Sequence, residues 1–256
     1  MITIKTKEEI EIMKDGGHRH AFILSELAKK VAPGVSTQHL EDLAREMIKE
    51  GGDKAAFLNY TPKGARRPYP AALNVSVNDE IVHGIPNESP KILQDGDIVS
   101  LDLGVEHQGM ITDSAITVAC GKIFEVDRKM IEHCREALAL GIKSAHGGGH
   151  IGDISSAIES FVRKLGYGIP DGLAGHGVGY KVHEDPYVPN EGQKGKGELL
   201  KPGMVLALEP MITLGTSQIK LCSDGYTYKT ADGSRSAHFE HTIAITDGEP
   251  IVLTKL

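Results

Sequence analysis

Four carboxylates stand inside runs of residues that otherwise belong in a core, and any fold of this chain must deal with their charge. Asp102 and Asp113 fall in residues 97–118, DIVSLDLGVEHQGMITDSAITV; Glu209 falls in residues 204–212, MVLALEPMI, and Glu240 in residues 237–246, AHFEHTIAIT. Alternation and β-branched content read each run as a strand, and residues 97–118 as a hairpin turning at Glu106-His107-Gln108-Gly109. With the turn centred between His107 and Gln108, Asp102 lies directly opposite Asp113. Opposed Cβ atoms in antiparallel strands are about 4.5–5.5 Å apart, and like charges there repel. The pair needs a cation between its members, a shared proton, or a solvent-facing side. Exposure is the weaker account, because Leu101 and Leu103 cover one face while Ser100, Gly104 and Ala115 make the other small rather than charged.

Residues 175–186, GHGVGYKVHEDP, supply two histidines among three glycines. Glycine accepts backbone angles and close approaches that other residues refuse, so His176 between Gly175 and Gly177 can reach into a crowded site. A phosphate loop would need a helix to follow, and Pro186 instead biases Asp185 towards extended backbone. A tight turn with incidental histidines would also satisfy this stretch alone. With the four acids it reads as an oxygen-rich metal site formed by Asp102, Asp113, His176, Glu209 and Glu240. A single catalytic zinc keeps three protein ligands and an open position, so two ions with bridging carboxylates fit five ligands better. Ligand softness favours Mn, Fe or Co, with Zn also compatible.

The chain has 256 residues, 40% of them hydrophobic, enough for a substantial core in one large domain or two small ones. A net charge of −7 argues against nucleic-acid or membrane-surface binding. Three cysteines with no CxxC spacing argue against a disulfide framework or thiolate zinc and suit a reducing cytoplasm. No stretch has the length of a membrane span, and the charged N-terminus contains no signal-peptide core. Apolar spacing predicts helices over residues 6–31, from Ser36 or Thr37 to Gly51-Gly52, and over residues 128–145 and 153–165. The second pair repeats the first: adding 114 carries Gly34, Leu40, Ile48 and Gly52 onto Gly148, Ile154, Val162 and Gly166. In the strands, adding 100 carries Ser76 to His176 and His83 to His183, and adding 107 carries Asp102 to Glu209. Halves of about 1–120 and 121–256 within a single domain follow, with a site at their junction. Residues 59–69 read as a solvated loop. HGGGH at 146–150 is similar to a lipase oxyanion loop, but the chain has no G-x-S-x-G elbow.

Six motifs in order, SLDLG, TDS, GHGVG, HEDP, LEPM and FEHT, resemble the type I methionine aminopeptidases of the pita-bread fold, with IKTKEEIEIMK and NDEIVHGIP in support. The resemblance spans nearly the whole chain. It implies an α+β architecture: a pseudo-two-fold repeat of helix-helix-strands, with a curved, mainly antiparallel sheet and helices on its outer face. It implies a dinuclear metalloaminopeptidase of the cytoplasm, a hydrolase that removes the N-terminal methionine from nascent polypeptides. A hydroxide bridging two divalent ions would attack the first peptide bond. Asp102, Asp113, His176, Glu209 and Glu240 would hold the ions, and Glu209 would also shuttle the proton. His83 would meet the scissile amide and His183 the substrate carbonyl, both as catalytic and substrate-binding residues. Tyr69, Asn74, Val182 and Tyr226 would line the first-residue pocket.

Asn74 stands where a cysteine is common, Val182 where an aromatic is common, and Tyr226 where Trp or another aromatic occurs. The pocket should therefore be roomier, with a polar edge at Asn74. The substrate partner is the N-terminal peptide of a nascent polypeptide, with the ribosome a transient contact, no nucleic acid or membrane, and a monomer expected. A proline-directed aminopeptidase or prolidase of the same fold, and a catalytically inactive binding protein, are the alternatives. The proline-directed enzymes usually carry an extra N-terminal domain, whereas here the helical repeat starts within the first ten residues.

Overall fold

Thr6 starts the first helix for a local reason. Its hydroxyl accepts from Glu9 N at 3.2 Å, and the Glu9 carboxylate accepts from Thr6 N at 2.8 Å, closing a capping box ahead of α1 (Lys7–Lys30). Ser36 accepts from His39 N to begin α2 (Thr37–Glu50). The computed structural model describes residues 2–256. After α2 come β1 (Lys54–Ala55), β2 (Leu73–Val77), β3 (Glu80–Val82), β4 (Ile98–His107) and β5 (Met110–Ala119), then α3 (Glu125–Lys143) and α4 (Ile151–Lys164). The remaining strands are β6 (Ala174–Gly177), β7 (Glu184–Pro189), β8 (Val205–Leu208), β9 (Met211–Thr213), β10 (Ile219–Leu221), β11 (Tyr228–Thr230), β12 (Ser236–His238), β13 (His241–Ala244) and β14 (Ile251–Val252).

The four expected helices are present. Two begin earlier than their apolar spacing suggests, because acidic residues sit inside their first turns rather than before them. Glu125 and Asp127 occupy the first turn of α3, and the Asp153 carboxylate in α4 reaches back to accept from His150 N at 2.7 Å. HGGGH forms the turn entering α4.

Every ladder is antiparallel. β4 lies between β5 on one side and β2 and β1 on the other, and a second sheet runs β14-β13-β8-β6-β7. Smaller sheets, β10-β11-β3 and β12-β9, complete the arrangement. Leu24, Leu27, Leu40 and Ile48 of α1 and α2 pack against Leu73, Leu101 and Leu103. Met130, Leu138, Ile154 and Ile158 of α3 and α4 pack against Leu206, Leu208 and Ile243. The pairs Ser76↔Ser100 and Val77↔Val99 recur as His176↔Ala207 and Gly177↔Leu206, displaced by the same 100 and 107.

The β4-β5 hairpin differs from expectation. His107 pairs with Met110, so the turn is Gln108-Gly109, with φ of 49° and 84°. A two-residue turn with positive φ at both central positions matches strand twist, and Gly109 meets that demand at no steric cost. The register is therefore shifted by two residues: Asp102 faces Ala115, and Asp113 faces Gly104. The two acids are diagonal neighbours on one face, not directly opposed.

Glu41 ties α2 to the start of β2. It is fully buried, accepts from Ala72 N at 2.9 Å and Leu73 N at 2.8 Å, and pairs with Arg45. Removing the carboxylate strands two buried donors and an arginine that is 39% exposed. Glu41→Ala should therefore lower stability by about 2–4 kcal/mol in chemical denaturation. A loss below about 1 kcal/mol, the scale of a surface ion pair, would show that Glu41 contributes no more than one.

Candidate metal centre

Two bent strands carry the glutamates. His241 faces Leu208 in β13-β8 and His238 faces Met211 in β12-β9, so the same register spans the gap between them. Carried through the gap, that register sets Glu209 opposite Glu240 and Pro210 opposite Phe239, whose N–H donates to Pro210 O at 3.3 Å. Pro210 has no N–H for the ladder, and both chains leave the sheet here. The sequence implied two continuous strands; the structure instead places each glutamate at the break between two.

β5 brings Asp113 to the same place, with Asp102 beside it on β4. Glu240 N donates to Ala115 O at 2.8 Å. Thr242 Oγ1 accepts from Asp113 N at 2.9 Å and donates to Asp113 O at 2.7 Å. Thr117 Oγ1 accepts from His238 N and donates to His238 O, both at 2.8 Å. The two threonine brackets are one contact repeated with the strands exchanged, a local two-fold centred on Ala115 and Glu240.

His176 enters from β6. A Cβ on Gly175 would lie 2.3 Å from Ala207 O, and one on Gly177 2.3 Å from Asp185 O, so only glycine fits on either side. His176 Nδ1 lies 2.9 Å from Gly177 O. A carbonyl only accepts, which puts the proton on Nδ1 and leaves Nε2 with a free lone pair. Nε2 is 3.5 Å from Glu209 Oε1 and 3.9 Å from Asp113 Oδ2. Ligand atoms of Asp113, His176 and Glu240 all lie within 4.8 Å of one another. Asp102 accepts from Asn74 Nδ2 at 2.7 Å across the β2-β4 pair, so the amide expected as a polar pocket edge is directed at a carboxylate.

Burial pushes Asp102 up to about 6 and Glu209 up to about 8. Asp113 and Glu240 are driven well above the carboxylate range by burial and by the neighbouring acids. Burial, with His183 beside it, pushes His176 down to about 3, so its imidazole is neutral.

All eleven residues expected at the site line one cavity of about 70 Å³: Asp102, Asp113, His176, Glu209, Glu240, His83, His183, Tyr69, Asn74, Val182 and Tyr226. Phe57, Tyr60 and Pro62 complete its wall. A wider groove of about 700 Å³ shares His83, His176, His183 and Glu209 with it and opens to solvent. His183 stands exposed at the mouth, its ring 4.4 Å from that of His176 and its Nδ1 2.8 Å from Tyr60 Oη. His83 holds a φ of 59°, and its carbonyl accepts from Thr227 Oγ1 at 3.3 Å.

Sequence reasoning missed Tyr60, which lies in the stretch read as a solvated loop. Asn59 N donates to Tyr69 O at 2.9 Å and Tyr69 N to Tyr60 O at 2.8 Å, closing that loop at its neck beside the cavity. No local pattern announces such a closure. His238 was missed as well, although a signal existed: it precedes Glu240 by two residues, and alternation places the two on one face. Among the described residues no lysine or arginine lines the cavity.

The chain matches the model of metallopeptidase family M24 over residues 11–247. A methionine aminopeptidase of Aquifex aeolicus is 44% identical over 257 residues, covering 100% of this chain and 99% of that protein. The crystal structure of a methionine aminopeptidase from Thermotoga maritima superposes with a TM-score of 0.95 at 41% identity, covering 100% of each chain. A prolidase from Pyrococcus horikoshii shares the fold at a TM-score of 0.75 and 23% identity, covering 98% of this chain but 63% of its own. The architecture is the pita-bread fold, and the chain belongs to metallopeptidase family M24.

Proposed function

We propose that this chain is a two-metal methionine aminopeptidase acting on nascent polypeptides. The observation that carries the reading is three buried carboxylates, the nearly buried Glu209 and one bare imidazole nitrogen around a cavity that no lysine or arginine of the described residues lines. Asp102 Oδ1, Asp113 Oδ1 and Glu240 Oε1 are buried without a hydrogen-bond partner. Leaving such groups unmet is costly, and divalent ions meet them. Asp102, Asp113, His176, Glu209 and Glu240 would hold the ions, with Mn, Fe or Co suited to the oxygen-rich set and Zn compatible. When bound, the ions acidify water and polarise the peptide carbonyl.

The remaining chemistry belongs to side chains. Glu209, its affinity for protons raised by burial, takes a proton on its carboxylate and returns it to the leaving amine. Tyr60 stays protonated, since burial and Asp113 raise it, and its hydroxyl lies 2.8 Å from His183 Nδ1. With Tyr60 as the donor in this bond, the His183 proton sits on Nε2, free to donate to the developing oxyanion. Burial, with His183 and His238 nearby, pushes His83 down to about 4, so it meets the scissile amide as a neutral imidazole. Phe57, Tyr60, Tyr69, Val182 and Tyr226 supply an apolar wall for the first side chain. No helix among the described residues is long and apolar enough to cross a membrane. The three cysteines are unpaired, which suits the reducing cytoplasm. We read residues 1–256 as one catalytic domain and the working form as a monomer.

The direct test is hydrolysis of Met-Ala-Ser and Ala-Pro-Ala peptides by chelated protein reloaded with Mn, Fe, Co or Zn. Release of methionine from the first peptide and no turnover of the second is expected; preference for Ala-Pro-Ala would replace this reading with a proline-directed one.

A second test concerns the charge itself. In the folded protein Glu209 is raised to about 8 and Asp102 to about 6, so the folded state binds protons that the unfolded chain has released. Stability of this kind is fully present below the unfolded carboxylate pKa and is lost as pH rises through the folded values. The buried histidines, neutral in the folded state but about half charged in the unfolded chain at pH 6.5, act in the opposite sense, so the effect is read against Glu209→Gln, in which their contribution cancels. Between pH 6.5 and 8, chelated wild-type protein should lose about 1.5 kcal/mol relative to chelated Glu209→Gln, read from thermal melts. An equal pH dependence of the two would contradict the burial of ionisable charge at Glu209.

Val182 is 4% exposed on the cavity wall. Val182→Ala should widen the pocket and lower the methionine-to-leucine ratio of kcat/KM several-fold, within the about 1–3 kcal/mol that apolar pockets discriminate. An unchanged ratio with activity retained would remove Val182 from the substrate's surroundings.

A further inference from the structure

His238 is 1% exposed, and neither ring nitrogen has a hydrogen-bond partner. Its Nε2 lies 3.4 Å from Glu209 Oε2, while the other oxygen of that carboxylate, Oε1, lies 3.5 Å from His176 Nε2. Since His176 carries its proton on Nδ1, towards Gly177 O, it cannot donate to Glu209. Among the described residues His238 is the one side chain placed to do so. The fold repeats this placement. Thr117 brackets His238 as Thr242 brackets Asp113. His238 pairs with Met211, two residues past Glu209, as Asp113 pairs with Gly104, two past Asp102. His238 thus holds in the second half the place that Asp113 holds in the first. Asp113 lines the cavity and His238 does not, so the histidine stands behind the carboxylates rather than among them.

We propose that His238 is a positioning residue for Glu209: its Nε2–H donates to Glu209 Oε2 and holds the carboxylate with Oε1 turned towards the metal cavity. Partners of this kind orient ligands and tune how tightly an ion is held. A ring packed between strands loses little further freedom in doing so.

The inference rests on Glu209 being a metal ligand, and one experiment separates the two claims. Chelated wild-type protein and the variants His238→Leu, His238→Gln and Glu209→Gln are titrated calorimetrically with Mn²⁺ and with Co²⁺. The visible absorption of the Co²⁺ forms, kcat and KM are recorded alongside. His238→Leu should bind the same number of ions at saturation, with one of them about 10–100-fold weaker and an altered Co²⁺ spectrum, while His238→Gln, which keeps an N–H donor, stays within about threefold of wild type. The loss of activity at saturating metal should appear in kcat more than in KM. Glu209→Gln should lose an ion outright. Should His238→Leu fail to fold, His238→Met, which also lacks a donor, takes its place.

Wild-type affinity and spectrum in His238→Leu would overturn the proposal. Loss of a whole ion from it would make His238 a ligand, and equal damage in His238→Gln would show that packing, not donation, matters. Wild-type metal binding by Glu209→Gln would instead overturn the ligand assignment on which the inference stands.

Discussion

Four carboxylates gathered around one cavity repel each other, and each is desolvated as well. No lysine or arginine among the described residues lines the cavity to relieve either burden. An isolated pair of acids could share a proton, and Asp102 and Asp113 are diagonal neighbours on one face. Four together, with three of their oxygens unpartnered, are a stable arrangement only around added positive charge. Much of the surrounding structure holds that arrangement in place against its own repulsion.

The holding is done by backbone and small side chains. Threonine hydroxyls grip the main chain at Asp113 and His238. Glycines let β6 approach Ala207 and Asp185 closely enough to deliver His176. Glu41 fixes the start of β2, and through it Asn74 against Asp102. Apolar cores of two helices and a sheet stand behind each pair of acids. The chemistry is thereby mounted on rigid elements, while the loop carrying Tyr60 and the bend before β7 carrying His183 frame the opening.

The helices, the hairpin, the gathering of Asp102, Asp113, His176, Glu209 and Glu240 at one cavity and the repeat offsets were legible in the sequence because each has a local cause: a cap, a period, or a polar residue where an apolar one belongs. Register was less legible. A turn centre misplaced by one position moves every cross-strand partner by two, and Gly109 decided the matter through its backbone angle. The breaks at Glu209 and Glu240 depend on Pro210 meeting a second bent strand, which no single stretch records. Tyr60 reached the site through a loop closed by two main-chain hydrogen bonds. Asn74 was placed in the right cavity, but its amide is directed at Asp102, a contact set by the β2-β4 pairing.

Acids placed to hold metal should be found holding it. Elemental analysis of protein purified without chelator and without added metal, normalised to chain concentration, reads this out. Close to two divalent transition-metal ions per chain are expected, falling sharply in Asp102→Asn. A content near zero in folded wild-type protein, with no uptake on adding Mn, Fe, Co or Zn, would contradict a metal-holding role.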